Sequence, residues 1–271
     1  QLVRGYGTDA AATAMLDRYS FVVVPLVNPD GYVYTWTTDR FWRKNRRNNG
    51  NDIFGVDLNR NWSFAWGSDN GSSGNTASQT YRGAAPFSEP ESSALRDAIQ
   101  ATPGVAAVFD IHTYGQWLLA PWGYTNQLPQ GHDAFNLNGK QMQSAILAST
   151  GRNYRYGPTY TLLYPVSGGV IDWWFGTRDV PGWTIELRGE GFAPPPTDIQ
   201  PAAIEGFTAV RTLAQGLCRA DINRDGFTTG DDFDQFVAAF LEGGPAADFD
   251  RDGFTSGLDF DAFVELFEQG C

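Results

Sequence analysis

Histidine, cysteine and methionine are scarce in this sequence, with two of each among 271 residues. Long apolar runs are also missing. No stretch approaches the ~20 apolar residues that a membrane-spanning helix needs, so we expect no membrane span within these residues. The apolar stretch "FVVVPLV" (21–27) predicts a buried strand instead. Trp and Phe are abundant, at 9 and 19, and together with frequent Gly and Pro they indicate a globular chain with many loops.

Positive charge is almost absent from the C-terminal end. Residues 219–271 contain 13 acidic and 3 basic side chains, whereas residues 1–218 contain 18 and 16. The net charge of -12 therefore belongs mainly to the tail. Nothing in this distribution favours a nucleic-acid partner.

The two cysteines, Cys218 and Cys271, lie at the two ends of the acidic tail. We expect them to form a disulfide, which would stabilise the tail by roughly 4 kcal/mol through the chain entropy of the closed loop. Such a bond predicts a secreted protein. The alternative is two unrelated thiols. Because the sequence begins at Gln1 with neither Met nor a signal segment, we expect a processed start or a fragment.

The tail is an internal repeat. Residues 221–240 and 248–267 are identical at 13 of 20 positions, and each copy follows the pattern D-x-[ND]-x-D-G-x5-D. Such a ring of oxygen ligands suits Ca²⁺, and apolar residues at helical spacing follow each loop. The sequence predicts two calcium sites in a module of residues 218–271. Their expected ligands are Asp221, Asn223, Asp225 and Asp232 in the first loop, and Asp248, Asp250, Asp252 and Asp259 in the second.

Two loops that each lead into one helix resemble the dockerins, which are calcium-binding modules built from half EF-hands. The resemblance implies a cohesin-like partner on a scaffold or cell surface. The tenth and eleventh loop positions often carry Ser-Thr in that family. Here they carry Gly230-Asp231 and Gly257-Leu258.

Residues 1–217 alternate between strand-like and helix-like segments. "GVAAVFDIH" (104–112) and "GWTIELR" (182–188) predict strands, whereas residues 133–149 and 202–217 predict helices. "NPDGY" (28–32) predicts a turn, and Ser88 with Glu91 has the spacing of a capping box. This alternation predicts an α/β fold, with a mixed, mostly parallel sheet and helices on both faces. His112 would lie at the carboxyl end of a strand, where sites form in such sheets.

Several polar residues accompany His112 in short motifs along the chain. By itself, each has an ordinary structural interpretation as a surface charge, a packing aromatic or an ion-paired residue. In sequence order, the motifs are "NPDGY", "WRKNR", "GVDLNRNW", "IHTYGQ", "SGGVIDW" and "IELR". Together they resemble the zinc carboxypeptidases of the carboxypeptidase A type, and the resemblance covers essentially all of residues 1–217.

The resemblance implies a role for each matching residue. His112 would be a zinc ligand, and Glu186 would be the general base on a zinc-bound water. Arg43 would hold the oxyanion. Asn59, Arg60 and Tyr164 would hold the terminal carboxylate of the peptide, and Tyr114 would line the adjoining subsite. Ile171 would form the floor of the specificity pocket. Gly123, Val166 and Thr184 match uncharged wall positions. A pocket of this kind predicts a preference for large apolar or aromatic C-terminal residues.

One part of the family pattern is absent. The other two zinc ligands of the family come from a His-x-x-Glu motif upstream of "NPDGY", and this sequence contains no such motif. Asp57, which matches the partner of one of those histidines, is present. We therefore expect the chain to be the C-terminal part of an active enzyme, which binds zinc poorly as written because one imidazole cannot hold the ion.

Three alternatives remain open. The chain could be an inactive peptidase-like binding protein with a calcium-dependent docking module. It could be a family relative that cleaves peptidoglycan stem peptides. It could also be a glycoside hydrolase that uses Asp110 and Glu186 as its two carboxylates, although this alternative leaves Arg43, Asn59 and Arg60 without a role.

Overall fold

The computed structural model describes residues 2–68, 70–217, 220–223, 228–244, 247–249 and 254–269. Its strands are β1 (Val108–Thr113), β2 (Trp117–Ala120), β3 (Arg155–Pro158) and β4 (Gly182–Leu187). Its helices are α1 (Leu2–Gly5), α2 (Ala10–Arg18), α3 (Pro29–Thr37), α4 (Pro90–Gln100), α5 (His132–Thr150), α6 (Thr159–Leu162), α7 (Val170–Arg178), α8 (Ile199–Gly216), α9 (Gly230–Glu242) and α10 (Gly257–Gln269). None of the helices in these ranges is both long enough and apolar enough to cross a membrane.

The four strands form one mixed sheet in the order β1-β4-β2-β3. β1 runs parallel to β4 and β2 runs parallel to β3, whereas β2 and β4 are antiparallel. In the β1–β4 pair, His112 lies opposite Glu186. The predicted α/β class with a mixed sheet is confirmed, as are the two predicted strands and the helices at 133–149 and 202–217.

Helices cover both faces of the sheet. On one face, Trp183 and Ile185 of β4 are fully buried in a cluster with Met142 of α5 and Leu213 of α8. Because side chains alternate along a strand, Thr184 and Glu186 lie on the opposite face. There, α7 contributes a second apolar cluster, which includes Ile171, Trp173 and Trp174. The site therefore forms on the α7 face of the sheet.

The stretch 21–27 is not the buried strand that its sequence predicts. It has no strand structure, and Val22 and Val23 are each 76% exposed. Hydrogen bonds hold both ends of the stretch: Tyr19 Oη donates to the Leu217 carbonyl and Asn28 Nδ2 donates to the Lys44 carbonyl. The prediction fails because strand propensity needs a neighbouring strand, and none of the described strands pairs with this stretch.

Two local predictions are also wrong. "NPDGY" begins α3 rather than a turn, because Asn28 caps the helix by accepting a hydrogen bond from Gly31 N and Pro29 takes its first position. α4 begins at Pro90 after Glu89, without a side-chain cap, so the expected capping box of Ser88 and Glu91 does not form.

The tail helices α9 and α10 have an apolar cluster of their own. Phe236 and Phe263, both fully buried, stack with ring centroids 3.9 Å apart, and Phe249 packs against both rings. All members of this cluster come from residues 220–267. The predicted disulfide of Cys218 and Cys271 and the predicted calcium ligands Asp225, Asp250 and Asp252 lie outside the described residues.

Candidate functional site

The C-terminal ends of β1 and β4 and the 3-10 turn at Leu58–Arg60 line one cavity, together with α6 and α7. The structure brings most of the sequence-predicted peptidase residues together there. Lining residues include Arg43, Asn59, Arg60, His112, Tyr164, Ile171 and Glu186. Tyr114 is not among them. Its ring packs edge-to-face on Phe192, with centroids 5.0 Å apart, and is partly exposed.

Asp57 organises the basic side of the cavity. Its carboxylate accepts hydrogen bonds from Arg43 Nε at 3.0 Å and from Arg43 Nη2 at 3.2 Å. It also accepts a bond from Asn59 N, which caps the 3-10 turn that carries Asn59 and Arg60. The charge of Asp57 raises the pKa of Arg43. The family role expected for Asp57 was to support a histidine, and here its partner is Arg43.

Arg60 is almost completely buried, with 2% of its surface exposed. Its Nε donates to the Gly71 carbonyl at 2.8 Å, and its Nη1 donates to the Asn59 carbonyl at 2.8 Å. These two bonds fix the plane of the guanidinium. Nη2 has no hydrogen bond within the described part of the chain. A planar guanidinium held in this way is well suited to bind a carboxylate.

Glu186 is one of the two carboxylates that line the cavity. Burial raises its pKa, the charges of His112 and Arg43 lower it, and Asp110 raises it, with a net upward shift. Its Oε2 is buried and has no hydrogen-bond partner among the described residues. A raised pKa and a free oxygen are properties of a carboxylate that transfers protons.

His112 lies opposite Glu186 in the β1–β4 pair. Burial lowers its pKa, but the charge and hydrogen bond of Asp110 and the charge of Glu186 outweigh this effect, so the pKa is raised overall. The distance from Asp110 Oδ2 to His112 Nε2 is 2.7 Å. Sequence reasoning considered Asp110 only as half of a glycosidase pair. Its position two residues before His112 in a strand was the signal that both share a face.

The described residues do not by themselves form a zinc site. No three His, Cys, Asp or Glu side chains within them are grouped so as to hold a metal ion. Only His112 matches a zinc ligand of the family. Catalytic zinc sites use three protein ligands, so the described residues alone do not hold a catalytic zinc ion.

The cavity also contains a buried acid that sequence reasoning did not single out. Asp172 lies next to Ile171 on α7, and its carboxylate accepts hydrogen bonds from Gly123 N, at 2.9 and 3.0 Å, and from Tyr124 N at 3.1 Å. Burial raises the pKa of Asp172 to about 7, against the lowering effect of these two N–H groups.

The raised pKa of Asp172 predicts that stability falls as pH rises. Between about pH 4 and 7 the folded chain holds this proton and the unfolded chain does not, so the free energy of unfolding decreases by up to about 1.4 kcal/mol per pH unit. Denaturant unfolding of the wild type and of Asp172→Asn across this range measures the effect. The variant should lose this part of the slope, and an unchanged slope would assign it to other groups.

The comparisons with known proteins agree with this geometry. The family model for zinc carboxypeptidases matches residues 1–209, and the chain belongs to this family. Carboxypeptidase B of Bos taurus is 39% identical over 216 residues, which cover 78% of this chain and 52% of the relative. Zinc carboxypeptidase A 1 of Anopheles gambiae is 36% identical over 214 residues, which cover 76% of this chain and 49% of the relative.

A solved structure shows the same fold. Bovine thrombin-activatable fibrinolysis inhibitor, in complex with tick carboxypeptidase inhibitor, superposes with a TM-score of 0.74 at 31% identity, covering 80% of this chain and 73% of that chain. The chain spans about half the length of the curated relatives it matches. The resemblance to carboxypeptidases that the motifs indicate is therefore confirmed.

Proposed function

We propose that residues 1–217 act as a carboxypeptidase domain that binds the C-terminal end of a peptide and releases its last residue. The single observation that carries the proposal is that Arg60, Asn59 and Glu186 line one cavity, which thus contains both a fixed guanidinium and a carboxylate with a raised pKa. Arg60 and Asn59 would bind the terminal carboxylate, with Tyr164 at the mouth of the cavity.

In the proposed reaction, Glu186, Arg43 and His112 each have a separate role. Glu186 would take a proton from the attacking water and deliver it to the leaving amine, which requires a carboxylate whose pKa is raised toward neutrality. Arg43, held by Asp57, would stabilise the oxyanion that develops on the scissile carbonyl. His112 would be the chain's zinc ligand, and the further ligands that zinc requires are not among the described residues.

For specificity, we propose a large apolar or aromatic C-terminal residue. Leu119, Val166 and Ile171 line the cavity. The acid that also lines it, Asp172, already accepts hydrogen bonds from two backbone N–H groups, and its raised pKa keeps part of it protonated and uncharged at neutral pH. A buried ammonium would therefore lack a full counter-charge.

A peptide panel tests the function and the specificity together. In zinc-containing buffer, with the chain extended upstream by a segment that carries the family's His-x-x-Glu ligands, release of a C-terminal Phe or Leu should exceed release of Lys or Arg by more than about tenfold. Tenfold corresponds to only about 1.4 kcal/mol, and burial of a poorly paired charge costs more. Faster release of Lys or Arg would contradict the proposed specificity.

A second candidate is the peptidase-like binding protein without turnover. It is favoured by one observation, the lack of a group of three metal-binding side chains within the described residues. The same panel separates the two. Binding of the peptides without release of any residue would identify this second function, and absence of both would contradict each candidate.

For residues 218–271 we propose a separate calcium-stabilised docking module of a secreted protein, whose partner is a scaffold or cell-surface protein. Its own apolar cluster supports the division. So do Asp232 and Asp259, which are fully buried at equivalent positions of the repeat. Asp232 accepts hydrogen bonds from the backbone of Asn223 and Thr229, and Asp259 from that of Phe249 and Ser256, so each carboxylate points into its own loop.

Removal of calcium should unfold this module and spare the peptidase domain. All nine tryptophans lie in residues 1–217, so their fluorescence should stay unchanged with chelator while the helical circular dichroism of α9 and α10 is lost. Asp232→Asn should weaken the response to calcium, and Asp234→Asn, at an exposed position two residues later, should not. A helical circular dichroism signal that does not change when chelator is added would rule out the calcium assignment.

A further inference from the structure

Asp110 contacts the site through His112. Both residues point to the same face of β1, and Asp110 Oδ2 lies 2.7 Å from His112 Nε2. A carboxylate can only accept a hydrogen bond, so Nε2 must carry the hydrogen. The neutral ring then has its lone pair on Nδ1, and within the described part of the chain no hydrogen bond reaches Nδ1.

The same oxygen of Asp110 also binds Asn59. Asn59 Nδ2 donates to Asp110 Oδ2 at 3.0 Å, while Asn59 Oδ1 accepts from Val170 N at 2.9 Å. These two bonds decide which way the amide faces. One hydrogen of the amide group stays available for a ligand, because an amide nitrogen has two.

Asp110 Oδ2 is therefore an acceptor shared by two donors, Asn59 Nδ2 and His112 Nε2. Asn59 Nδ2 and His112 Nε2 are 3.2 Å apart, and in the arrangement above both carry hydrogen. Without a carboxylate beside them, the amide would approach Nε2 as a donor, and the ring hydrogen would be favoured on Nδ1 instead.

We propose that Asp110 is a positioning residue, which holds His112 in the tautomer with a hydrogen-free Nδ1 and keeps the Asn59 amide turned toward the ligand. The assignment of His112 and Asn59 to ligand binding rests on the proposed function, but the tautomer does not. Ring nitrogens that bind metals or protons at a functional site are commonly fixed by a carboxylate on the other nitrogen. Asp110 fills that place here.

Nitrogen-15 NMR of the histidine-labelled chain tests this directly, because there are only two histidines. Spectra are recorded at alkaline pH, where both rings are neutral. For the wild type, Nε2 of His112 should resonate as a protonated nitrogen and Nδ1 as an unprotonated one. The opposite pattern in the wild type would overturn the proposal before any variant is made.

Asp110→Ala should shift the two His112 resonances toward each other or exchange them, as the hydrogen moves to Nδ1. Asp110→Asn should restore the wild-type pattern, because a carboxamide oxygen can still accept the Nε2 hydrogen. The matched control is Asp133→Ala, next to the other histidine, His132, which should leave His112 unchanged. An Asp110→Ala spectrum identical to that of the wild type would contradict the proposal.

If Asp110→Ala does not fold, Asn59→Ser removes the competing donor, and His112 should then keep the wild-type pattern. A shift of the ring hydrogen in that variant would show that Asn59, not Asp110, sets the tautomer. These spectra require no turnover, so they are decided separately from the peptide panel. A wild-type tautomer as stated, with no peptide binding or release, would refute the function and leave the positioning role of Asp110 standing.

Discussion

Glu186→Gln is expected to lower the rate of C-terminal residue release by about two to four orders of magnitude, the range that general acid–base catalysis contributes. Glutamine keeps the size of the side chain, but its amide cannot accept a proton from water. The buried Oε2 of Glu186, which has no partner among the described residues, is the atom that would receive it. The measurement is kcat and KM with a peptide that ends in Phe, on the chain extended upstream by a segment that carries the family's His-x-x-Glu ligands.

The change should appear in kcat and leave peptide binding almost intact. Glu190→Gln, four residues later and exposed, is the matched control and should keep full activity. A Glu186→Gln variant that loses peptide binding rather than turnover would show that Glu186 binds the substrate instead of transferring its proton.

Glu205→Gln is expected to destabilise the fold of residues 1–217 by about 3–5 kcal/mol, the usual loss when one partner of a buried ion pair is removed. Glu205 of α8 is fully buried and forms a bidentate pair with Arg188, just after β4. It also accepts hydrogen bonds from the hydroxyls of Thr150 and Tyr154. Burial would raise the pKa of Glu205, but the hydrogen bonds from Arg188, Thr150 and Tyr154 and the charge of Arg188 lower it, so the group stays ionised.

Denaturant unfolding followed by tryptophan fluorescence measures this loss, because the tail contains no tryptophan. The double variant Arg188→Met with Glu205→Leu removes both charges and should recover much of the stability, since no charge is then left buried without a partner. Equal loss in the single and the double variant would mean that packing, not the uncompensated charge, sets the cost.

The helices and strands that are predicted correctly have clear local sequence patterns. α5 is a long amphipathic stretch that ends at Gly151, which has a φ of 71° that favours glycine. β4 has apolar residues on the face that it buries and Thr184 and Glu186 on the other. In both elements, local pattern and tertiary environment agree, and for this reason the prediction succeeds.

The secondary-structure predictions fail where contacts beyond the local sequence pattern determine the conformation. Residues 21–27 have the composition of a strand, but composition does not supply a neighbouring strand, and the stretch is exposed. "NPDGY" contains residues that suit a turn and a helix start equally, and the bond from Gly31 N to Asn28 settles the choice.

The sequence predicted which residues form the candidate site, but not which of them hydrogen-bond to each other. The order of the motifs identified Arg43, Asn59, Arg60, His112 and Glu186, and all five line one cavity. No motif indicated that Asp57 would bind Arg43, or that Asp110 would join His112 to Asn59. Such contacts depend on the mutual position of β1 and the 3-10 turn, about 50 residues apart, which only the fold determines.

The central claim is that this cavity recognises the free carboxylate at the end of a peptide through Arg60 and Asn59. Calorimetric titration with one peptide that ends in Phe, prepared as the free acid and as the C-terminal amide, tests it most directly. The claim predicts that the acid binds and that the amide binds at least about a hundredfold more weakly, since charge-assisted hydrogen bonds to a buried guanidinium contribute about 1.5–3 kcal/mol each. Equal affinity for the acid and the amide would contradict it.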